Sequence, residues 1–449
     1  MEVGPNATTA TSAAQDEADA SQVASFATLR WVLPSDNRVS ILTDAAVSLG
    51  RDAAATIRLE TAQVSRQHAE ITFDGKRHRI RDLGSKNGVF VNAERVRDAE
   101  LQDGDVIRLG DAIAVVEVIT AAGLPGFAEI APGIHGGALL RGVVARARRV
   151  ATAPFNVVLL GETGTGKECF ARTLHASSGR TGPFLAVNCA AYDDSTVGAQ
   201  LFGYRKGAFT GAENSSAGHL RAADGGTLFL DEILELSPAI QAKLLRAIEQ
   251  KEVLPLGETK PRSIDVRFLA ATSIPLNRAV QSGAFRSDLR ARLEGSIIEL
   301  PNLCARRGDV VPLFLQLLAR HGHRVVPNLD AKLAERLCLY DWPMNVRELE
   351  NVARRVANEH SERAELAFDL VRDCLNFDIA PLDTEQAATN REGRESRAQR
   401  GIPAYGTEEL DNLRRALDKY HGSVKRAAEE LGVSRPRVYR MLRAIQSTS

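Results

Sequence analysis

The feature that most constrains this chain is a glycine-rich turn between an apolar run at residues 156–160 and a helix-forming run at 169–175. An apolar strand that leads through such a turn into a helix surrounds an anion with backbone N–H groups and the positive helix end. The turn therefore predicts a nucleoside triphosphate site at Gly161, Glu162, Thr163, Gly164, Thr165, Gly166, Lys167 and Glu168.

Two positions in this turn determine its chemistry. Lys167 is the compact cation that can reach the β- and γ-phosphates. Glu168 stands where a Ser or Thr hydroxyl usually ligates Mg²⁺. We therefore expect Mg²⁺ to be held mainly by water and by another acid.

A second apolar run, residues 225–230, leads directly into Asp231 and Glu232. Such a strand places one carboxylate on the metal and the next where it can polarise the attacking water. Asp231 is thus the candidate metal ligand and Glu232 the candidate catalytic base. Strands alternating with helices in this region predict a doubly wound parallel sheet.

Composition bounds the rest of the chain. At 449 residues it is long enough for about three domains. Its 57 basic residues balance 57 acidic ones, so nucleic-acid affinity must come from a local patch. Five scattered cysteines indicate a reducing compartment. With neither a signal peptide nor an apolar run long enough to cross a bilayer, we expect a soluble cytoplasmic protein without a membrane partner.

The amino-terminal part has the pattern of an all-β domain. Residues 1–24 predict a disordered leader, and residues 25–120 carry short alternating apolar segments broken by turn signals, as in a β-sandwich. The predicted strands are 26–33, 39–42, 69–73, 78–82, 89–91, 106–109 and 114–118.

Three blocks in this region, at 49–51, 64–69 and 84–88, resemble the forkhead-associated (FHA) domain. The resemblance implies that loops at one end of the sandwich bind phosphothreonine, either on a separate protein such as a Ser/Thr kinase or on a segment of this chain. Arginines, a hydroxyl and an amide suit a phosphorylated extended peptide. The candidate contacts are Arg51, Ser65, Arg66, Lys86 and Asn87, while Gly50 and His68 hold the loops. A sandwich that binds a non-phosphorylated partner is the alternative.

Residues 121–133 carry Gly and Pro and predict an interdomain linker. Beyond them, the block at 201–212 contains the intact sequence GAFTGA. With this block, residues 134–376 resemble the AAA+ domain of bacterial enhancer-binding proteins that activate sigma-54 RNA polymerase. The resemblance implies a ring, usually a hexamer, and a sigma-54 contact at Gly207, Ala208, Phe209, Thr210, Gly211 and Ala212.

The same resemblance assigns four more positions in the ATPase core. Asn188 matches the residue that switches the catalytic glutamate, and Thr272 matches the sensor I position. Arg286 and Arg292 match the arginine fingers that each subunit supplies to its neighbour. Because such an arginine stabilises charge on the γ-phosphate, the resemblance implies that hydrolysis depends on assembly.

The helical lid, from about residue 309 to 376, contains a block at 342–351 that resembles the sensor II signature, with Arg347 facing the nucleotide. Met344 stands where this family usually has glycine. If that position needs a positive φ, a side chain there costs about 1 kcal/mol. We therefore expect mild strain at Met344.

The carboxyl-terminal part predicts a second linker and a DNA-binding tail. Residues 377–405 are polar and mixed in charge, as in flexible linkers. Residues 406–449 have helices separated by a turn and resemble the Fis-type helix-turn-helix. The implied DNA contacts are Ser434, Arg435, Arg437, Tyr439 and Arg440. A solvated basic helix bundle is the alternative.

Together these patterns predict an all-β FHA sandwich, an α/β AAA+ domain with an α-helical lid, and a small all-α helix-turn-helix. They predict an activator that binds enhancer DNA, remodels sigma-54 RNA polymerase with ATP and Mg²⁺, and responds to phosphothreonine in kinase or two-component signalling. A signalling adaptor with a structural nucleotide site is one alternative. An AAA+ remodeller of another client is the second, although it would lack the GAFTGA block and the tail.

Overall fold

The computed structural model describes residues 25–34, 38–120, 126–191, 194–208 and 214–374, with residues 412, 413, 415 and 431 beyond. By internal contacts the chain divides into a unit of residues 1–341 with 345–368 and a unit of residues 342–344 with 369–449. The sandwich and the α/β core belong to the first unit. The predicted leader, the linker at 377–405 and the predicted DNA-contacting residues lie outside the described part. None of the described helices is long and apolar enough to cross a membrane.

The amino-terminal region is a sandwich of two sheets, as predicted. One sheet has the order β2-β1-β11-β10-β7-β8, and the other β4-β3-β5-β6-β9. Four of these strands were not predicted, because they are short and, like Asp98–Glu100, carry few apolar residues. The strands are β1 (Ser25–Leu33), β2 (Val39–Ile41), β3 (Val47–Gly50), β4 (Ile57–Arg58), β5 (Ala69–Phe73), β6 (His78–Asp82), β7 (Val89–Val91), β8 (Glu94–Val96), β9 (Asp98–Glu100), β10 (Val106–Leu109) and β11 (Ala112–Thr120).

The predicted linker at 121–133 was wrong over its described second half. Strand β12 (Ala128–Ala131) pairs with β13 (Ile134–Gly136) in an antiparallel hairpin. Gly133 closes the turn with a φ of +73°, and Ala131 and Ile134 are buried in the core beside it. Gly133, one of the residues that suggested a linker, therefore serves a tight turn.

The α/β core is built on a five-stranded sheet in the order β15-β16-β19-β14-β20, whose pairings are all parallel. Successive residues of one strand enter different cores: Leu228 and Leu230 pack on one face of the sheet, and Phe229 packs on the other. Both faces are covered, so the doubly wound prediction is confirmed. The strands of this sheet are β14 (Val157–Leu160), β15 (Phe184–Asn188), β16 (Thr227–Asp231), β19 (Arg267–Thr272) and β20 (Ser296–Glu299). Strands β17 (Glu252–Val253) and β18 (Arg262–Ser263) form a separate antiparallel pair.

Helices surround this sheet and form the lid. Those of the core are α1 (Ala138–Ala151), α2 (Lys167–Ala176), α3 (Asp194–Phe202), α4 (Gly218–Ala222), α5 (Pro238–Gln250), α6 (Leu276–Gln281) and α7 (Ser287–Leu293). The lid follows as α8 (Arg307–Arg320), β21 (Asn328–Leu329), α9 (Ala331–Leu339), α10 (Asn345–His360), β22 (Glu365–Leu366) and α11 (Phe368–Val371).

The strain expected at Met344 is absent, because the left-handed backbone falls on its neighbours. Trp342 has a φ of 47° and Asn345 a φ of 52°, whereas Met344 is not among the non-glycine residues with positive φ. Asparagine tolerates this conformation better than most residues. The turn into α10 thus uses Asn345 at its left-handed position.

Candidate functional site

The glycine-rich turn lies at the carboxyl edge of the parallel sheet, between β14 and α2. Gly164 and Gly166 have φ values of 82° and 97°, which side chains other than glycine rarely adopt. The Gly161 N–H donates to the Thr272 carbonyl at 3.1 Å, which fixes the start of the turn to the neighbouring strand β19. The turn is therefore held in shape by the sheet itself.

Lys167 is almost fully buried within this turn, at 7% exposure. Its Nζ donates to the Gly161 carbonyl at 2.9 Å and approaches the Glu162 carbonyl at 3.4 Å. Burial lowers the pKa of Lys167, while the nearby carboxylates of Glu232 and Asp231 oppose the shift. The ammonium is thus preorganised among oxygens that a phosphate can join or replace.

Asp231 and Glu232 lie beside Asn188 at the same edge. Asn188 and Asp231 are register partners on β15 and β16. Glu232 has a left-handed φ of 53°, and its N–H donates to Asp231 Oδ1 at 3.1 Å. Burial raises the pKa of Glu232, with Lys167 opposing the shift. A carboxylate with a raised pKa is a better proton acceptor, as a base that activates water must be.

The residues present fit a magnesium ion that keeps most of its water. The Glu168 carboxylate accepts two hydrogen bonds from Arg172, at 2.6 and 3.2 Å. Within the described residues, no group of three or more His, Cys, Asp or Glu side chains forms a metal site. Mg²⁺ is commonly bound by one or two carboxylates together with phosphates and water. Asp231 would supply the carboxylate.

Asn345 was missed by the sequence analysis, and it joins the lid to the glycine-rich turn. Its Nδ2 donates to Glu162 Oε2 and to the Thr163 carbonyl, both at 3.1 Å. Its Oδ1 accepts from the Leu303 N–H at 2.7 Å. The sequence signal that could have found it is an asparagine at the start of a helix, where this residue is a usual cap.

Arg347 and Thr272 differ in how they meet the site. Arg347 is exposed, and its charge affects the pKa values of Lys167 and Glu232, which places it near both. The Thr272 hydroxyl instead donates to the Ile274 carbonyl at 2.7 Å and lies within its own turn. Thr272 therefore contributes to the site through its main-chain carbonyl.

The two candidate arginine fingers are exposed and paired within the chain. Arg286 Nη2 lies 2.7 Å from Asp288 Oδ2, and Arg292 Nε lies 2.9 Å from Glu249 Oε1. Exposed pairs of this kind are weak, so a phosphate can compete for either guanidinium. Their action on a neighbouring subunit remains a prediction.

The GAFTGA segment begins from a firmly held base. Tyr204 and Ser216 exchange two backbone hydrogen bonds of 2.9 Å, and the Arg205 N–H donates to the Leu256 carbonyl at 2.9 Å. Gly207 has a φ of 80° and leads into Ala208. Phe209, Thr210, Gly211 and Ala212 lie outside the described residues. The two described ends of this segment are therefore held together by backbone hydrogen bonds.

The candidate phosphopeptide residues come together on three loops of the sandwich. The Arg51 N–H donates to the Ser65 carbonyl at 2.9 Å, and the Lys86 N–H donates to Ser65 Oγ at 3.1 Å. Asn87 donates to the Gln63 carbonyl at 2.7 Å. Because Ser65 Oγ already accepts a hydrogen bond, its own proton is left to donate. Arg51, Arg66 and Lys86 have exposed side chains.

His68 organises these loops from beneath. Its Nδ1 accepts from the Ser65 N–H at 3.0 Å, so the proton lies on Nε2, which faces the Gly88 carbonyl at 3.1 Å. Burial lowers the pKa of His68, which favours this neutral form. An added Cβ at Gly50 would collide with the Arg66 carbonyl. Both residues thus have the structural role that was predicted.

Comparisons with known proteins agree with this architecture. Four family models match: the FHA domain at residues 47–110, the sigma-54 interaction domain at 135–299, the AAA+ ATPase lid domain at 305–378, and the bacterial regulatory protein Fis family at 408–444. The expected resemblance and the expected fold class are therefore confirmed.

Individual relatives match over part of this chain and part of their own length. The Sigma54-dependent transcriptional activator SfnR of Pseudomonas putida is 47% identical over 47% of this chain and 58% of its own length. The transcriptional regulatory protein ZraR of Salmonella typhimurium is 38% identical over 64% of this chain and 62% of its own length. The chain thus spans less than two thirds of these relatives. The crystal structure of NtrX from Brucella abortus in complex with ADP is 27% identical, with a TM-score of 0.49, and the match covers 68% of each chain.

We predict that Asn345→Gly weakens ATP binding by about tenfold, equivalent to about 1.4 kcal/mol. Glycine keeps the positive φ while removing the side-chain contacts to Glu162, Thr163 and Leu303. Titration with a fluorescent ATP analogue measures the effect. Asn351→Gly, on the exposed side of the same helix, is the control and should bind normally. Equal affinity of Asn345→Gly and wild type would show that this contact does not support the nucleotide site.

Proposed function

We propose that this chain, a member of the family that carries the sigma-54 interaction domain, is an ATP-driven activator of sigma-54 RNA polymerase. The proposal is carried by two features found together. One is the carboxyl edge of the parallel sheet where the glycine-rich turn, Asn188, Asp231 and Glu232 meet, which we call the nucleotide edge. The other is the segment that contains GAFTGA, whose two described ends are hydrogen-bonded to each other. The chain's FHA and Fis-family domains add a phosphothreonine input and enhancer-DNA binding. The active form is a homo-oligomeric ring, a hexamer in the usual case, acting in the cytoplasm.

ATP hydrolysis is supported by four groups that meet at one edge of the sheet. Lys167 provides charge for the phosphates, Asp231 a metal ligand, and Glu232 a base with a raised pKa. Mg²⁺, when bound, neutralises charge that develops on the phosphates. Asn188, one residue from Glu232 across the strand pair, has the position from which to orient that carboxylate. Arg286 and Arg292 act on the nucleotide of the neighbouring subunit.

We predict that Glu232→Gln binds ATP but loses turnover by about 10²–10⁴-fold, because an amide cannot accept the proton of water. Steady-state phosphate release and nucleotide titration measure the two properties separately. Glu235→Gln, in the same segment but exposed, should stay near the wild-type rate. Rapid hydrolysis by Glu232→Gln would remove Glu232 from the mechanism.

Sigma-54 contact is supported by the way the loop is anchored to the nucleotide domain. Gly203 and Gly218 approach so closely that a Cβ on either would collide with the other segment, which fixes the two ends of the loop. Gly257 adds a second support, since a Cβ there would lie 3.1 Å from the Ala208 Cβ. The two ends of the loop are therefore fixed on the domain that carries the nucleotide site.

We predict that Thr210→Ala keeps ATP hydrolysis within about twofold of wild type, because Thr210 lies away from the nucleotide motifs in sequence, but loses open-complex formation with sigma-54 polymerase. Phosphate release and permanganate footprinting of a sigma-54 promoter measure these outcomes. Thr152→Ala, an exposed threonine after α1, should retain both. Normal open-complex formation by Thr210→Ala would contradict the loop assignment.

The phosphothreonine input is supported by the free donors at the loops of the sandwich. Ser65 Oγ has a proton to donate, and the exposed guanidinium groups of Arg51 and Arg66 have no carboxylate within salt-bridge distance among the described residues. A phosphothreonine brings three acceptor oxygens and a charge of about −1.5 to −2. Whether the phosphorylated threonine belongs to a kinase or to this chain, the recognition chemistry is the same.

We predict that Arg51→Ala reduces capture of phosphothreonine peptides by tenfold or more, since a charge-assisted bond of about 1.5–3 kcal/mol is lost. A phosphothreonine peptide library, with its unphosphorylated counterpart, provides the measurement. Arg58→Ala is the matched control, because Arg58 is an exposed arginine paired with Glu60. Equal capture by Arg51→Ala and wild type would favour a partner without phosphate.

A further inference from the structure

The FHA sandwich has one sheet that is buried on both faces. In β11, Ala112, Ala114 and Val116 belong to the sandwich core, so Ile113 and Val115 face outward. Both outward residues are nevertheless buried, with exposures of 0% and 1%. Lid helices α8 and α9 pack against β1, β10 and β11 and cover this face. The sandwich is therefore docked on the lid.

A buried charge cluster lies at the centre of this docking face. Arg30 of β1 donates through Nη1 to Asp309 of α8 at 2.8 Å and to Glu117 of β11 at 3.1 Å. Burial alone would lower the pKa of Arg30, but the carboxylates of Asp309 and Glu117 outweigh it and raise the pKa. The guanidinium is therefore charged, and its charge is balanced from both the sandwich and the lid.

Asp309 also binds the ATPase core. Its Oδ1 accepts from the N–H of Gly137, the residue that caps α1, at 2.8 Å. An added Cβ on Gly137 would overlap the Arg30 guanidinium, so that guanidinium lies directly on the core backbone. Arg30 thus touches both the core, at Gly137, and the lid, at Asp309.

A second contact ties the sandwich to the lid alone. Arg108 of β10 lies 3.1 Å from Glu335 of α9, through Nε and Oε2. Two residues further on, Gly110 packs so tightly on Gln63 that a Cβ there would collide with it. Gln63 in turn accepts from Asn87 at the candidate phosphopeptide loops. The docking face and those loops are therefore joined by a short series of contacts.

We infer that Arg30 is a positioning residue for nucleotide turnover: by pairing with Asp309 while lying on Gly137, it restrains the angle between lid and core. The lid helices α8 and α10 pack together, and Asn345 at the start of α10 binds the glycine-rich turn. A restraint on α8 therefore limits the lid motion that opens and closes the nucleotide site. Lid motions of this kind often limit turnover. The consequence for rate rests on the proposed ATPase, whereas the docking itself does not.

The test compares full-length Arg30→Met with wild type, since methionine keeps an unbranched apolar chain and removes the charge. Hydrogen exchange read by mass spectrometry should show faster exchange in β1, β11 and the first turn of α8. The kcat for ATP should rise about threefold and the KM about twofold as the lid loosens. Arg30→Lys, which retains the charge, should restore most of both values.

Arg79→Met is the matched control, because Arg79 pairs with Asp98 on the other sheet of the sandwich and should change neither exchange at the lid nor kcat. If Arg30→Met does not fold, Glu335→Gln replaces it and should produce the same changes with smaller amplitude. Unchanged exchange, or faster exchange with an unchanged kcat, overturns the inference. A wild-type chain that never hydrolyses ATP overturns the proposed ATPase, and the exchange result still decides whether the sandwich restrains the lid.

Discussion

The buried carboxylate of Asp309 is the interaction on which the arrangement of the first unit depends. It accepts hydrogen bonds from Arg30 of the sandwich and Gly137 of the core. Arg306 Nη1 lies 3.4 Å from its Oδ2. Removing one partner of a buried ion pair costs about 3–5 kcal/mol, because the other charge is left without compensation. Three segments far apart in sequence must therefore reach the same point together. Gly137 follows from this requirement, since any side chain there would displace the guanidinium.

The nucleotide edge depends on a second constraint, the common direction of the sheet strands. Because all pairings in this sheet are parallel, the carboxyl ends of β14, β15, β16 and β19 lie at one edge. That edge receives the glycine-rich turn, Asn188, the Asp231–Glu232 pair and Thr272. Burial then changes their chemistry: it lowers the pKa of Lys167 and raises that of Glu232. The lid completes the site through Asn345, so the angle between lid and core is part of the chemistry.

Sequence patterns located most of this site, because its residues stand in short local motifs. The turn at 161–168 and the pair Asp231–Glu232 follow from spacing and from apolar runs that lead into polar residues. Asn345 was missed because its role arises from contact with a turn almost two hundred residues earlier in the chain. The first strand and the turn of the hairpin, within residues 128–133, were predicted as part of a linker, because glycine and proline indicate turns without showing which strands pair across them. The polar strand Asp98–Glu100 was missed because it is held by β6 rather than by its own pattern.

The sequence by itself determined the fold class, the order of the sandwich and the α/β domain, and the residue types that surround the nucleotide, since each depends on periodicity and motifs within short windows. Only the tertiary structure decided that the sandwich docks on the lid. The run from Ile113 to Val116 is apolar at every position, which indicates a strand that is buried on both faces. Such a run shows that something covers the second face but not what covers it. The lid covers this face because Arg30 pairs with Asp309 and Arg108 pairs with Glu335. The two acidic residues lie about two hundred residues after the run, so these pairs form only in the folded chain.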